Sequence, residues 1–140
     1  MQKNKDKRIR LVVDANAWVS SLLSSRFRER LDIVFDSRCR LLVSEALFED
    51  LANAMRKPYL VKKIDPAHYS KLVSQLLSDA ELVDVCSVVE ACRDPKDNFL
   101  LALAKDGDAD YLITGDIDLL TMEQFEKTKI VKLSEFAELV

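Results

Sequence analysis

Two short apolar runs, Ile9-Arg10-Leu11-Val12-Val13 and Tyr111-Leu112-Ile113-Thr114, each lead straight into an aspartate, Asp14 in one case and Asp116, after Gly115, in the other. Their branched aliphatic residues suit buried strands. Between them, apolar residues return at helical spacing. From Trp18 to about Asp36, with a break at Ser24-Ser25, the stripe is Val19, Leu22, Leu23, Phe27, Leu31, Val34 and Phe35. Leu41-Leu42-Val43 reads as a further strand, and Ser44 as the cap of a helix that reaches about Met55 and is stopped by Pro58. Asp65-Pro66 opens another helix, with Tyr69, Leu72, Val73, Leu76 and Leu77 on one side. Leu82 to Val89 includes a short strand. Asp94-Pro95 starts a helix to about Lys105, with Gly107 in the position of a C-terminal cap. Ile130-Val131 and Ser134 to Leu139 give a last strand and a closing helix. Strands alternating with helices predict an α/β sandwich of three layers, a mainly parallel central sheet flanked by helices.

The chain of 140 residues, 49% of them hydrophobic, has room for one sizeable core. The expectation is a charged, flexible tail at residues 1–8 followed by a single domain at 9–140. Its two glycines, Gly107 and Gly115, cannot form a dinucleotide-binding fingerprint or a phosphate-cradling loop. One histidine, His68, leaves any histidine-based catalysis or multi-histidine metal site dependent on that residue alone. Cys39, Cys86 and Cys92 lack the spacing of a thiolate zinc site and are odd in number, which fits a reducing compartment. No apolar run approaches the roughly 18 residues needed to span a membrane, and the polar N-terminus is no secretory signal. A cytoplasmic protein without membrane association is expected.

The acidic residues are what remains for chemistry. In open α/β sheets, ligands bind at the carboxyl ends of the strands, where the strand order reverses. If the strands before Asp14 and Asp116 are parallel neighbours, their carboxylates face each other at that edge. The alternative for each is simply to cap the following helix. Asp94 fits the cap of its helix, with Pro95 at the first helical position and Asp97 where a capping-box acid sits. Asp97 also shares a face with Leu100, Leu101 and Ala104, and a carboxylate on the buried side of a helix needs a partner or an ion. Of the adjacent acids Glu49 and Asp50, Asp50 borders the stripe of Leu47, Leu51, Ala54 and Met55, while Glu49 points nearly opposite. Asp118 is either a turn residue or an outer ligand.

Carboxylates gathered in one crevice repel each other unless a divalent cation neutralises them. Oxygen donors without histidine or thiolate select hard ions, so Mg²⁺ or Mn²⁺ is expected rather than zinc. Such an ion assists attack of water on a phosphodiester and stabilises the leaving oxygen.

These motifs in order resemble the PIN domain: Leu11-Val12-Val13-Asp14-Ala15-Asn16, then Asp50-Leu51, then Asp94-Pro95-Lys96-Asp97 through Ala104, then Tyr111 through Gly115-Asp116-Ile117-Asp118-Leu119-Leu120. The likeness runs from about residue 9 to 136 and is closest to the branch of toxins from bacterial toxin–antitoxin pairs. It implies a ribonuclease dependent on Mg²⁺ or Mn²⁺. It assigns Asp14, Asp97 and Asp116 as metal-organising carboxylates, Asp50 as the remaining member of a catalytic quartet, and Asp118 as a frequent extra acid. Asn16 and Thr114 would support them by hydrogen bonds. Asp50 departs from the family, which usually carries glutamate there; the shorter side chain leaves an intervening water or a role for Glu49 open. The toxin branch further implies a cognate antitoxin protein over the active-site groove, and dimerisation.

RNA contacts are expected from clusters of cations at Arg26, Arg28 and Arg30, at Arg38 and Arg40, and at Arg56-Lys57 with Lys62-Lys63, or these are solvated helix faces. A net charge of −3 makes such contacts local rather than global. Trp18 and Tyr59 are candidates for stacking on bases, against a core position for Trp18. Competing readings are a phosphatase of the haloacid-dehalogenase type, which needs an acid where Asn16 stands, and a receiver domain, which needs paired acids where Val13-Asp14 offers one. A third is an interaction module of the same fold that no longer cuts.

Overall fold

The computed structural model describes residues 7–140; of the charged N-terminal segment, residues 1–6 lie outside the described residues. In chain order the elements are β1 (Ile9–Val13), α1 (Ala15–Leu23), α2 (Ser25–Leu31), a 3₁₀ turn (Asp32–Phe35), β2 (Cys39–Val43), α3 (Glu45–Ala54), α4 (Pro58–Val61), α5 (Pro66–Asp79) and β3 (Glu81–Leu82). A second 3₁₀ turn (Pro95–Asp97) leads into α6 (Asn98–Asp106), followed by β4 (Tyr111–Ile113), α7 (Ile117–Leu120), β5 (Gln124–Phe125), β6 (Thr128–Val131) and α8 (Leu133–Leu139). The six strands form one sheet in the order β3-β2-β1-β4-β6-β5. Every pairing is parallel except the β5–β6 hairpin. Helices flank this sheet, as the alternation of strand and helix patterns requires.

β1 is fully covered at Leu11, Val12 and Val13, and it lies between β2 and β4. Its register with β4 pairs Val12 with Leu112 and Val13 with Ile113. The chain moves from β1 outward to β2 and β3, then returns to the other side of β1 as β4. The strand order therefore reverses between β1 and β4, and the crevice expected at such a point lies beyond Val13 and Ile113.

Side-chain caps set the helix starts. Asp14, Ser24, Ser44, Asp65, Asp94 and Asp116 each accept a hydrogen bond from a backbone N–H two or three residues later. The Asp14 cap starts α1 at Ala15, before the apolar periodicity becomes visible, and the Ser24 cap turns the break at Ser24-Ser25 into a true helix boundary. Trp18 is in the core at 1% exposure, packed on Phe35 with ring centroids 5.7 Å apart. It is unavailable for base stacking.

Some local features go beyond the sequence reading. The short strand read within 82–89 lies at its very start: β3 pairs with β2 at Glu81–Leu82, and the Val83 N–H donates to the Val43 carbonyl. Beyond it the residues go on alternating between half-buried and exposed, held instead by Asp106, whose carboxylate accepts from the Cys86 and Ser87 backbones and from the Ser87 hydroxyl. Gly107 does end α6, but at φ −90°, not in a left-handed turn. Its lack of a side chain answers a close approach, since a Cβ there would meet Leu42 Cδ1 at 2.8 Å and the Leu103 carbonyl oxygen at 3.0 Å. Finally, α4, α7 and β5 are too short to announce themselves by periodicity.

The basic clusters are partly consumed by the scaffold. Arg10 reaches from β1 to β3, giving Glu81 a two-point contact at 3.1 and 3.0 Å while its Nε donates to the Gly107 carbonyl at 2.7 Å. Arg40 joins the same carboxylate at 3.4 Å. Arg38 is bound to Asp36, Arg28 donates to the Ser21 carbonyl, and Arg56 donates to Asn53. None of these arginines is a free phosphate contact.

Candidate active site

The crevice at the carboxyl ends of β1 and β4 is built from the two aspartates that end those strands. Asp14 is 4% exposed. One of its oxygens accepts from the Asn16 backbone N–H at 3.0 Å, and the other from the Thr114 hydroxyl at 2.7 Å. Thr114 is itself buried and turns its oxygen to accept from the Asp116 N–H at 3.0 Å. Asp116 in turn accepts from the Asp118 N–H at 2.8 Å. A chain of hydrogen bonds thus runs Asp118, Asp116, Thr114, Asp14, and each backbone turn is fixed by the side chain before it. The support expected from Asn16 comes from its backbone; its exposed side chain faces the groove next to the site.

Asp97 enters from the opposite side, at the junction of the 3₁₀ turn and α6. The Asp94 carboxylate accepts from the Lys96 N–H at 3.1 Å, and the Asp97 N–H donates to the Asp94 carbonyl. The capping-box function expected of Asp97 is not realised, because its carboxyl faces inward, buried against Cys92 Sγ and hydrogen-bonded to Asp116. Two carboxyl groups in such contact must share a proton or a cation. Burial first, then the Asp116 contact and the charges of Asp116, Asp14 and Asp94, push the Asp97 carboxyl up to about 7. Asp14 is also raised, by burial above all and then by the charges of Asp116 and Asp50, against the pull of its two hydrogen bonds.

Asp50 and Glu49 both stand on the outer surface of α3, whose Leu47 and Leu51 are buried. Asp50 is the one that belongs electrostatically to the crevice. Partial burial raises its carboxyl, and its charge acts on Asp14. Glu49 lines a separate groove towards Val83 and Val85. Asp118 sits at the rim, where Arg93 pairs with it at 2.6 Å. Arg93 was not anticipated; its only sequence signal is its position beside Asp94. Tyr59, on α4, is 60% exposed, and His68, at the start of α5, lines a different cavity with Trp18 and Lys71.

The donor set is oxygen from carboxylates, the chemistry of a hard divalent cation. Among the described residues, no three histidine, cysteine, aspartate or glutamate side chains form a group that could hold a metal ion by themselves. Mg²⁺ is usually bound by one or two protein carboxylates and keeps several waters. The closeness of the Asp97 and Asp116 carboxyls, within the field of Asp14, marks where a cation would relieve repulsion.

A family model described as PIN domain matches residues 10–118. An uncharacterized protein of Methanocaldococcus jannaschii, MJ1680, is 23% identical over 137 residues, covering 96% of this chain and 86% of that protein. The crystal structure of PAE2754 from Pyrobaculum aerophilum superposes with a TM-score of 0.58 at 19% identity, covering 99% of this chain and 97% of that one. The structural likeness establishes the shared fold.

Proposed function

This chain belongs to the PIN domain family, whose members are generally nucleases, and on that premise we propose that it hydrolyses phosphodiester bonds of RNA with Mg²⁺ or Mn²⁺ as cofactor. The single observation carrying the proposal is the contact of Asp97 with Asp116, reinforced by the field of Asp14. Nothing in the fold requires the buried Asp14 and Asp97 to sit with the half-buried Asp116. Asp14, Asp97 and Asp116 would hold the cation, with Asp50 and Asp118 as outer acids that orient its waters. When bound, the cation neutralises the acids and the charge that develops on the phosphate during hydrolysis.

The protein's own contribution is orientation. Thr114 holds Asp14 and fixes the turn that presents Asp116. Such partners of metal-binding carboxylates typically change activity or metal affinity by about 10–100-fold when removed. Asp97, on a separate element, completes the crevice from across the sheet edge. A role as toxin of a toxin–antitoxin pair, restrained by a cognate antitoxin protein and acting as a homodimer in the cytoplasm, extends the same reading. It would show as growth arrest on expression, relieved by the product of a neighbouring reading frame.

The test incubates purified protein with single-stranded RNA in Mn²⁺ or in chelator, alongside Asp116→Asn. Cleavage by the wild type in Mn²⁺ only supports the proposal. Equal cleavage under all three conditions assigns the activity to a contaminant, and no cleavage under any condition supports the non-catalytic interaction module instead.

A further inference from the structure

Two grooves of the surface differ in charge, and only one of them shares lining residues with the carboxylate crevice. One lies between α1, α2 and the start of α8, and its floor is Asn16, Thr114 and Gly115 from the crevice itself. Its walls carry Arg30, Lys132 and the half-buried ring of Phe27, and no acidic side chain lines it. Neither Arg30 nor Lys132 has an ion-pair partner among the described residues, in contrast to Arg10, Arg38, Arg40 and Arg93. The other groove, between α3 and the 82–85 segment, carries Glu45, Glu49 and Asp84 and no cation.

We infer that single-stranded RNA reaches the carboxylates along the α1–α8 groove alone, with Arg30 and Lys132 on backbone phosphates and Phe27 against a base. The inference rests on the nuclease reading for its choice of polyanion and adds the direction of approach and the residues that read the strand. The physics is local. With a net charge of −3, the chain attracts a polyanion only where its cations are unpaired, and at physiological salt the field of a surface charge fades within about 8 Å. A strand laid in the acidic groove would place phosphates beside three carboxylates. A strand in the basic groove meets two unpaired cations and an aromatic face, the combination that binds single strands without regard to sequence. Gly115 keeps the floor open. A Cβ there would touch nothing within 4 Å, and its φ is not left-handed, so a larger side chain fits the backbone and projects into free space.

The test is fluorescence-anisotropy binding of a labelled 15-nucleotide single-stranded RNA to the full chain in chelator, across a salt series. Cleavage in Mn²⁺ is assayed separately. Removing both cations, in Arg30→Ala with Lys132→Ala, is expected to lower the slope of log affinity against log salt by about 1.4, from roughly 0.7 per single-strand phosphate contact. Gly115→Phe adds a ring at the groove floor while leaving both cations in the sequence, and is expected to weaken binding about tenfold, the scale of one lost stacking contact. Glu45→Lys with Asp84→Lys, in the other groove, is expected to leave the slope as it is. An unchanged slope in the Arg30/Lys132 variant overturns the inference, as does a rise with the Glu45/Asp84 variant that matches the expected fall. These outcomes are read from binding alone. Failure of the nuclease reading shows instead as wild-type protein that binds RNA in chelator but leaves it intact in Mn²⁺.

Discussion

The Thr114 hydroxyl donates to Asp14 at 2.7 Å, a contact between residues 100 positions apart in sequence that joins the ends of two adjacent parallel strands. The same oxygen accepts from the Asp116 N–H, so one small side chain sets both carboxylates. Thr114→Val keeps the shape and removes both bonds. It is expected to lower RNA cleavage and Mn²⁺ affinity by about 10–100-fold while Thr114→Ser retains most of both. Cleavage rates and calorimetric titration with Mn²⁺ measure the two effects. A Thr114→Val enzyme with wild-type cation affinity would remove Thr114 from the site.

The state of Asp97 makes the metal-free protein sensitive to pH. Its carboxyl is raised from 3.8 to about 7, chiefly by burial and then by Asp116. The folded form therefore holds a proton that the unfolded chain releases. Stability from this group is present below about pH 4 and is lost as pH rises through about 7. The lowered acids Asp36, Glu81 and Asp106 act in the opposite direction, adding stability as pH rises through the ordinary carboxylate range. In chelator, the melting temperature is expected to fall from about pH 5 to pH 8, and Asp97→Asn is expected to flatten that fall. Melting curves of both proteins across this range decide it; parallel slopes would place the titration elsewhere.

Metal binding is expected to run against that proton. A cation at the crevice needs Asp97 and Asp116 ionised, so binding near pH 6 should release close to one proton and tighten as pH rises. Calorimetry in two buffers of different ionisation enthalpy counts the protons. Zero release at pH 6 would mean that the cation does not contact this pair.

Asp50 and Glu49 separate by field rather than by exposure, since both are exposed but only Asp50 raises Asp14. Asp50→Asn is expected to cost about tenfold or more in cleavage rate, as loss of an outer acid does. Asp50→Glu should keep most of the activity, and Glu49→Gln should cost less than Asp50→Asn. The reverse order would make Glu49 the fourth acid.

Gly107 supports the scaffold. Gly107→Ala drives a methyl into Leu42 Cδ1 and the Leu103 carbonyl oxygen. Overpacking of this kind costs about 1–3 kcal/mol. A urea midpoint measured with and without the substitution checks it, and an unchanged midpoint would show that Leu42 moves aside freely.

The central strands and the position of Asp14 and Asp116 were legible because an apolar run ending in an acid is a local pattern, and parallel α/β topology supplies the rest. Asp97 and its inward turn were legible from the face it shares with Leu100, Leu101 and Ala104, but its direct contact with Asp116 was not, because the two lie on separate elements. The basic clusters could not be sorted from sequence. Arg38 and Arg40 look alike in sequence, yet one is tied to Asp36 two residues away and the other to Glu81 on a neighbouring strand. Three-dimensional pairing is what separates Arg30 and Lys132, with no ion-pair partner among the described residues, from Arg10, Arg38, Arg40 and Arg93. Arg93 was missed for the same reason, as its partner Asp118 lies on a different element.

Parallel pairing of β1 with β4 also sets a timetable for the newly made protein. Asp14 leaves the ribosome early, but Thr114 and Asp116, which orient and complete it, follow about a hundred residues later, at roughly 5–20 residues per second. Until β4 inserts beside β1, a growing polypeptide carries the first acid without its companions. A translation product halted before that insertion is expected to be inert towards RNA, however well its first half has folded.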